Sequence, residues 1–246
     1  MCTVILLIRP GHRWPVCVAA NRDEMLARAW DGPGPFWPGI IAGRDRTAGG
    51  TWLGLNHHAV MAAVLNRPGS LGPAPGKRSR GELPIRALNH PSAEQAADFI
   101  TALNAADYRS FNMVLADPTG AIFIRGLGLG HPQAMPLSPG LHMITAHDPD
   151  DETSPRVARH LPRFRSAPPP ETDNWDAWRA LISDRSGEAT EQINVTPRGG
   201  FGTVCGSLIA LPAHGAPEWL FSAGPPDVTR FETVALPAAE ELPASD

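Results

Sequence analysis

Short apolar runs closed by proline or glycine recur along this chain, and that punctuation confines it to antiparallel hairpins with a few helices between them. Thr3–Ile8 is rich in β-formers, and "RPGHRWP" turns the chain into a second run, Val16–Ala20. Thr51–Leu55 and Val60–Leu65 flank Asn56-His57-His58 in the same way. Asn112–Ala116 and Ala121–Arg125 flank the turn Asp117-Pro118-Thr119-Gly120, and Thr203–Leu211 and Trp219–Ser222 close the set. Helical periodicity is confined to the middle. "SAEQAADFITALNAA" offers Ser92 as N-cap with Gln95 three residues on, then Ala96, Phe99, Ile100 and Leu103 on one face. "RGELPIRALNH" is a helix only with Pro84 in its first turn, and two more are expected around Pro155–Phe164 and Trp175–Ile182. Strands, then helices, then strands, with no βαβ alternation, describe an α+β protein rather than a doubly wound sheet.

The 27 prolines and 24 glycines are spread through these connections, and "SAPPPETD" is too short to separate domains. We read residues 1–236 as one domain and 237–246, the end of "AAEELPASD", as a flexible tail. A net charge of -4 gives no reason to expect nucleic acid as a partner. The apolar run Val4–Ile8 is too short for a secretory core, and no window approaches the roughly 18 apolar residues of a membrane span. With three scattered cysteines, Cys2, Cys17 and Cys205, the expectation is a cytoplasmic protein in a reducing compartment. His57-His58 and the acidic stretch "AHDPDDE" lack metal-ligand spacing and read as solvated loops; "GLGLGHP" opens no helix that could hold a phosphate. Nothing in the sequence calls for a metal or a cofactor, and it does not encode an oligomeric state.

Chemistry concentrates at the N-terminus. Removal of Met1 would give Cys2 both a thiol and a free α-amine, a nucleophile with a built-in base whose pKa of about 8 suits proton transfer near neutrality. The bland alternative is a small hydrophobe at the head of a strand. "AANRDE" places Asn21, Arg22, Asp23 and Glu24 directly after the second apolar run, where a hairpin would bring them opposite Cys2. A carboxylate there would hold the α-ammonium and an arginine would favour the thiolate, unless the stretch is only a solvated turn. Asn66, just past "VMAAVL", could donate to an oxyanion or could simply begin the turn Arg67-Pro68-Gly69. Trp52, among the glycines of "AGGTWLGLN", suits a wall against an apolar ligand and equally suits a core.

Taken together, Met1-Cys2, "AANRDE" at 19–24, "GGTWLG" at 49–54, Asn66, "RGEL" at 80–83, "FN" at 111–112 and "GFGT" at 200–203 resemble the NRDE family, that of transport and Golgi organisation protein 2. The resemblance implies a fold like that of N-terminal-nucleophile hydrolases, a four-layer αββα sandwich with two antiparallel sheets at its centre. By similarity to choloylglycine hydrolases and penicillin V acylases, Cys2 would attack a non-peptide C–N bond of a small amide. Two positions depart from the family pattern. Thr145-Ala146-His147 stands where members commonly carry Ser-Asn, and Val204 stands where an arginine often follows the late "GT"; His147 and Cys205 are the available substitutes. Family members are also associated with haem mobilisation, so the alternative is a non-catalytic carrier of haem or another apolar ligand in the same pocket.

Overall fold

The computed structural model describes residues 2–171 and 174–236; Met1, the end of "SAPPPETD" and the expected tail at 237–246 lie outside the described residues. Thirteen strands and four α-helices are present among them. The strands are β1 (Thr3–Ile8), β2 (Val16–Met25), β3 (Trp30–Trp37), β4 (Ile40–Asp45), β5 (Leu53–Asn56), β6 (Met61–Asn66), β7 (Phe111–Asp117), β8 (Gly120–Gly126), β9 (Gln133–Pro136), β10 (Gly140–Ile144), β11 (Phe201–Leu211), β12 (Glu218–Ser222) and β13 (Phe231–Thr233). The helices are α1 (Glu82–Ala87), α2 (Ala93–Thr101), α3 (Pro155–Ser166) and α4 (Asp176–Ile182). One sheet runs β10-β1-β2-β11-β12-β13 and the other runs β3 to β9 in chain order; every neighbouring pair is antiparallel.

Period-two alternation explains how the layers stack. Val4, Leu6 and Ile8 of β1 and Val16, Val18 and Ala20 of β2 point at Leu53, Leu55, Met61, Ala63, Leu65 and Val114 of the other sheet, forming the central core. The alternate residues Ile5, Cys17 and Ala19 face outward and are covered by Val157, Leu161 and Phe164 of α3 and Trp178 and Ile182 of α4. On the far side α1 and α2 cover Ala62, Met113, Leu115 and Ile124. Three apolar interfaces between four layers make the αββα sandwich, and each fully buried Leu, Ile or Val in them contributes roughly 1.5–3 kcal/mol of transfer free energy.

The expected hairpins and helices are present. Ser92 caps α2 by accepting a hydrogen bond from the Gln95 N–H, and Pro84 sits in the first turn of α1. The expectation that Asn21–Glu24 follows the second strand is corrected: β2 runs on through Met25, and Asn21, Arg22 and Asp23 are buried within it. Five strands were not read from the sequence, namely β3, β4, β9, β10 and β13. No helix among the described residues is long and apolar enough to cross a membrane.

Candidate active site at the head of β1

Thr3 pairs with Asn21 on β2, so Cys2 arrives at the end of the central core beside Arg22. Arg22 in turn pairs with Cys205 of β11, across a bulge between Thr203 and Cys205. Cys2, Arg22, Cys205, Trp52, Leu53, Ala63 and Leu65 are among the residues lining a cavity of about 10 Å³ between the sheets, room for a single water. Cys2 is half-buried, its Sγ 4.0 Å from the Asp23 carbonyl oxygen. Burial raises its thiol pKa above the ordinary value. The Cys205 thiol, fully enclosed, is also raised, and burial pushes Cys17 up to about 11. A resting thiol here is protonated, so nucleophilic work requires a base.

Alternation splits the polar run of β2 between two layers. Asn21 and Asp23 serve the helical side. The Asn21 amide donates to the Ile182 and Ile193 carbonyls at 2.9 and 3.0 Å, stapling α4 and the following loop to the sheet. Asp23 receives Arg156 Nη1 at 3.0 Å and Thr203 Oγ1 at 2.7 Å, and the same Arg156 nitrogen donates to Thr3 Oγ1 at 2.9 Å. Arg156 lies on the buried face of α3 with Val157, His160 and Phe164. An enclosed charge pair of this kind holds only because its hydrogen-bonding capacity is extensively used.

Arg22 serves the other side. Its guanidinium lies 4.0 Å from the Trp52 ring centroid and bonds Asp45 Oδ2 at 3.0 Å. Arg28 Nε meets the same oxygen at 2.6 Å, and Glu24 stands 3.9 Å from Arg22 and 3.7 Å from Arg28. Burial alone would raise the Asp45 carboxyl, but Arg28, the Ala48 N–H and Arg22 together hold it below its usual range. Arg22 Nη1 is buried with no hydrogen-bond partner among the described residues. Trp52 packs edge-on against Trp30 at 5.8 Å, and only glycine fits at 43, because a Cβ there would lie 2.3 Å from the Trp52 ring. The tryptophan is therefore a wall of the cavity and part of the core at once.

Asn66 closes β6 opposite Phe111; it does not line the cavity, and its side-chain amide makes no hydrogen bond among the described residues. At the departing positions, Ala146 follows β10, whose Ile144 pairs with Val4, and Val204 is buried in the central core. His147 does not line the cavity, whereas Cys205 does. Sequence reasoning missed Asp45, Arg28, Arg156, Thr203 and Asn112. Asn112 donates to the carbonyls of Thr145 and His147 at 3.0 and 2.6 Å and accepts from Arg67 at 2.6 Å, tying the sheets together next to the site. Its place in "FN" was visible, but its bridging role was not. No group of three or more His, Cys, Asp or Glu side chains placed to hold a metal ion occurs among the described residues.

Two antiparallel sheets between helical layers place the chain among proteins with the N-terminal-nucleophile hydrolase fold, as its likeness to solved structures shows. The chain belongs to the Transport and Golgi organisation 2 family, whose profile matches residues 1–219. In fold it is similar to an N-acylethanolamine-hydrolyzing acid amidase ortholog from Caenorhabditis elegans, at a TM-score of 0.61 and 13% identity over 96% of this chain and 100% of that one. A conjugated bile acid hydrolase from Clostridium perfringens superimposes at a TM-score of 0.51 and 12% identity, over 97% of this chain and 98% of that one. In sequence, the Transport and Golgi organization 2 homolog of Mus musculus is 28% identical over 162 residues, 59% of this chain and 56% of the mouse protein. The Bos taurus homolog is 26% identical over 163 residues, with the same shares. The matched stretch thus spans little more than half of each of these relatives.

Proposed function

We propose that this protein is a cysteine N-terminal-nucleophile amidohydrolase acting on a non-peptide C–N bond of a small amide. The observation that carries the reading is the meeting of Cys2 at one inter-sheet cavity with Arg22, whose Nη1 has no hydrogen-bond partner among the described residues. After loss of Met1, the α-amine of Cys2 takes the thiol proton and the thiolate adds to the substrate carbonyl. Arg22 Nη1, at the cavity wall, stabilises the oxyanion. The C–N bond breaks as the α-ammonium returns its proton to the leaving amine, and water then hydrolyses the thioester to release the acid and regenerate the thiol. Asp23 and Glu24 supply the negative charge that favours the ammonium form.

A haem carrier asks for more than this pocket offers. The cavity holds about one water, no histidine lines it, and a guanidinium backs Cys2. The amidase reading needs only a carbonyl at Sγ, with the rest of the substrate over the rim.

Intact mass before and after treatment with an activated acyl ester tests the proposal. The expected result is loss of Met1 and one acyl group on Cys2, abolished by Cys2→Ala; Cys17 and Cys205, both buried, stay unmodified. A fully processed chain that no activated ester or amide acylates at Cys2 would overturn it.

A further inference from the structure

The arginines of this protein follow a pattern with one informative break. Arg22 and Arg28 bind Asp45, Arg67 and Arg125 bind Asp148, Arg156 binds Asp23, and Arg163 binds Asp184. Among the described residues, the half-buried arginines with no carboxylate in ion-pair range are Arg80 and Arg109. Arg109 is spent on backbone, clasping the carbonyls of Gly69, Leu71, Gly72 and Pro73. Arg80 is not spent. Only its Nη1 is engaged, with Ser70 O at 2.7 Å, Ser70 Oγ at 2.8 Å and Ser110 O at 3.1 Å, all neutral oxygens. Its Nε and Nη2 make no hydrogen bond among the described residues.

Arg80 also stands in the right place. The carbonyl of its neighbour Gly81 accepts the Thr51 N–H at 2.9 Å, which fixes the Arg80 backbone next to the Trp52 wall. Gly50 packs so closely on Gly81 that a Cβ would come within 2.5 Å of its carbonyl carbon, so this contact cannot loosen cheaply. Its own burial and the nearby Arg109 pull the Arg80 pKa down to about 10, still a cation at neutral pH, and its anchor Ser110 directly precedes Phe111, the partner of Asn66 at the end of β6. Neither Nε nor Nη2 of Arg80 is enclosed, so an incoming anion can reach both.

We infer that Arg80 is the recognition residue for an anionic group, a carboxylate in the first instance, on the amide that Cys2 attacks. The inference rests on the proposed amidohydrolase reading for the word "attacks", but not for the anion site itself. Arg80 presents Nε and Nη2 as a fork to a carboxylate, while Nη1 stays anchored to Ser70 and Ser110. The "RGEL" stretch then couples specificity to the wall of the site through the Gly81–Thr51 hydrogen bond.

Two matched probe pairs test this on the full chain lacking Met1. Hexanoylglycine and its methyl ester are titrated calorimetrically into the Cys2→Ser variant, and glutaryl and methyl-glutaryl nitrophenyl esters are compared as acylating agents of Cys2 in the unmodified site. The expected result is about a tenfold preference for the carboxylated member of each pair, in binding and in labelling rate. Arg80→Gln brings the ratio close to one with the ester members unchanged, and Arg80→Lys keeps part of it. Should Arg80→Gln fail to fold, phenylglyoxal modification of Arg80 in the wild type decides. Hexanoylglycine then shields Arg80 from the reagent and its methyl ester does not. Equal behaviour of both members in the wild type, a preference that survives Arg80→Gln, or no selective shielding overturns the inference. Preference in binding without acylation of Cys2 upholds the anion site and removes the hydrolase reading; acylation without preference does the reverse.

Discussion

Arg156 Nη1 lies 3.0 Å from Asp23 Oδ2 and 2.9 Å from Thr3 Oγ1, so one guanidinium from α3 fastens β1 and β2 beside the candidate nucleophile. The two residues are separated by more than half the chain, and their pairing makes the position of Cys2 a property of the folded whole rather than of the N-terminal hairpin.

Replacing Asp23 by asparagine leaves Arg156 enclosed without its counter-charge. We expect a loss of about 3–5 kcal/mol in urea unfolding, the range for breaking one side of a buried pair. Asp31, which joins Arg44 and Arg46 at the surface, should lose far less on the same change. Equal losses at the two positions would show that the Asp23 cluster does not hold the strands.

Gly43→Ala drives a methyl into the Trp52 ring. Either Trp52 or β4 shifts, at a cost of about 1–3 kcal/mol. Because Trp52 carries Arg22 on its face, the near-ultraviolet circular dichroism of the tryptophans should change and acylation of Cys2 should slow. An unaltered spectrum with unaltered labelling would show that the wall tolerates displacement.

Asn112→Ala removes the donor to two carbonyls and the acceptor of Arg67. A destabilisation of about 2 kcal/mol is expected in denaturant melts, since buried polar groups are left unmet. Asn89→Ala, whose exposed amide bonds only the Ile85 carbonyl, serves as the comparison and should cost little.

Stability should form a dome across pH, with two histidines shaping opposite limbs. Burial, with Arg163 close by, lowers the His160 pKa to about 4 from 6.5. Between those values the unfolded chain binds a proton that the native chain refuses, so stability falls as pH drops through that window, by on the order of 3 kcal/mol in all. His142 has the opposite sign. Its bond to Asp150 raises its pKa, so its contribution is complete below 6.5 and disappears as pH rises through the folded value. Thermal melts should therefore lose the slope between pH 6.5 and about 4 in His160→Gln and the slope above pH 6.5 in His142→Gln, while the depressed carboxylates such as Asp184 keep the fall at lower pH. Slopes that persist in the matching variants would assign them to other groups.

How far the sequence revealed this architecture depends on whether the information was local. Ser92 capping α2 and the turn at Asp117–Gly120 are decided within a few residues, and both were legible. β3 was not, because "WDGPGPFW" carries two prolines and two glycines that argue against a strand; it is tolerated as an edge with two breaks in register. β9 is exposed throughout and ends in Pro136, so it lacks the alternation that marks a half-buried strand. Asn21–Glu24 looked like a turn because their partners come from α3, β11, Asp45 and the loop before β11, up to 180 residues away. Arg156 was hidden by Arg159, Arg163 and Arg165 on the same short helix, which share its chemistry but not its burial.

The alternation along β2 has an evolutionary consequence. The side chains at odd positions, Asn21 and Asp23, bond to the helical side, and that of Arg22 turns to Trp52 and Asp45 at the cavity wall. Selection on substrate can thus rewrite residue 22 and its facing neighbours while residues 21 and 23 stay under the separate constraint of holding the sandwich closed. A one-residue insertion in the turn at 9–15 that slipped this strand would exchange the two duties, presenting a carboxylate to the cavity and a guanidinium to the staple. Descendants of this chain can vary that turn in length only if the pairing of Thr3 with Asn21 keeps its parity.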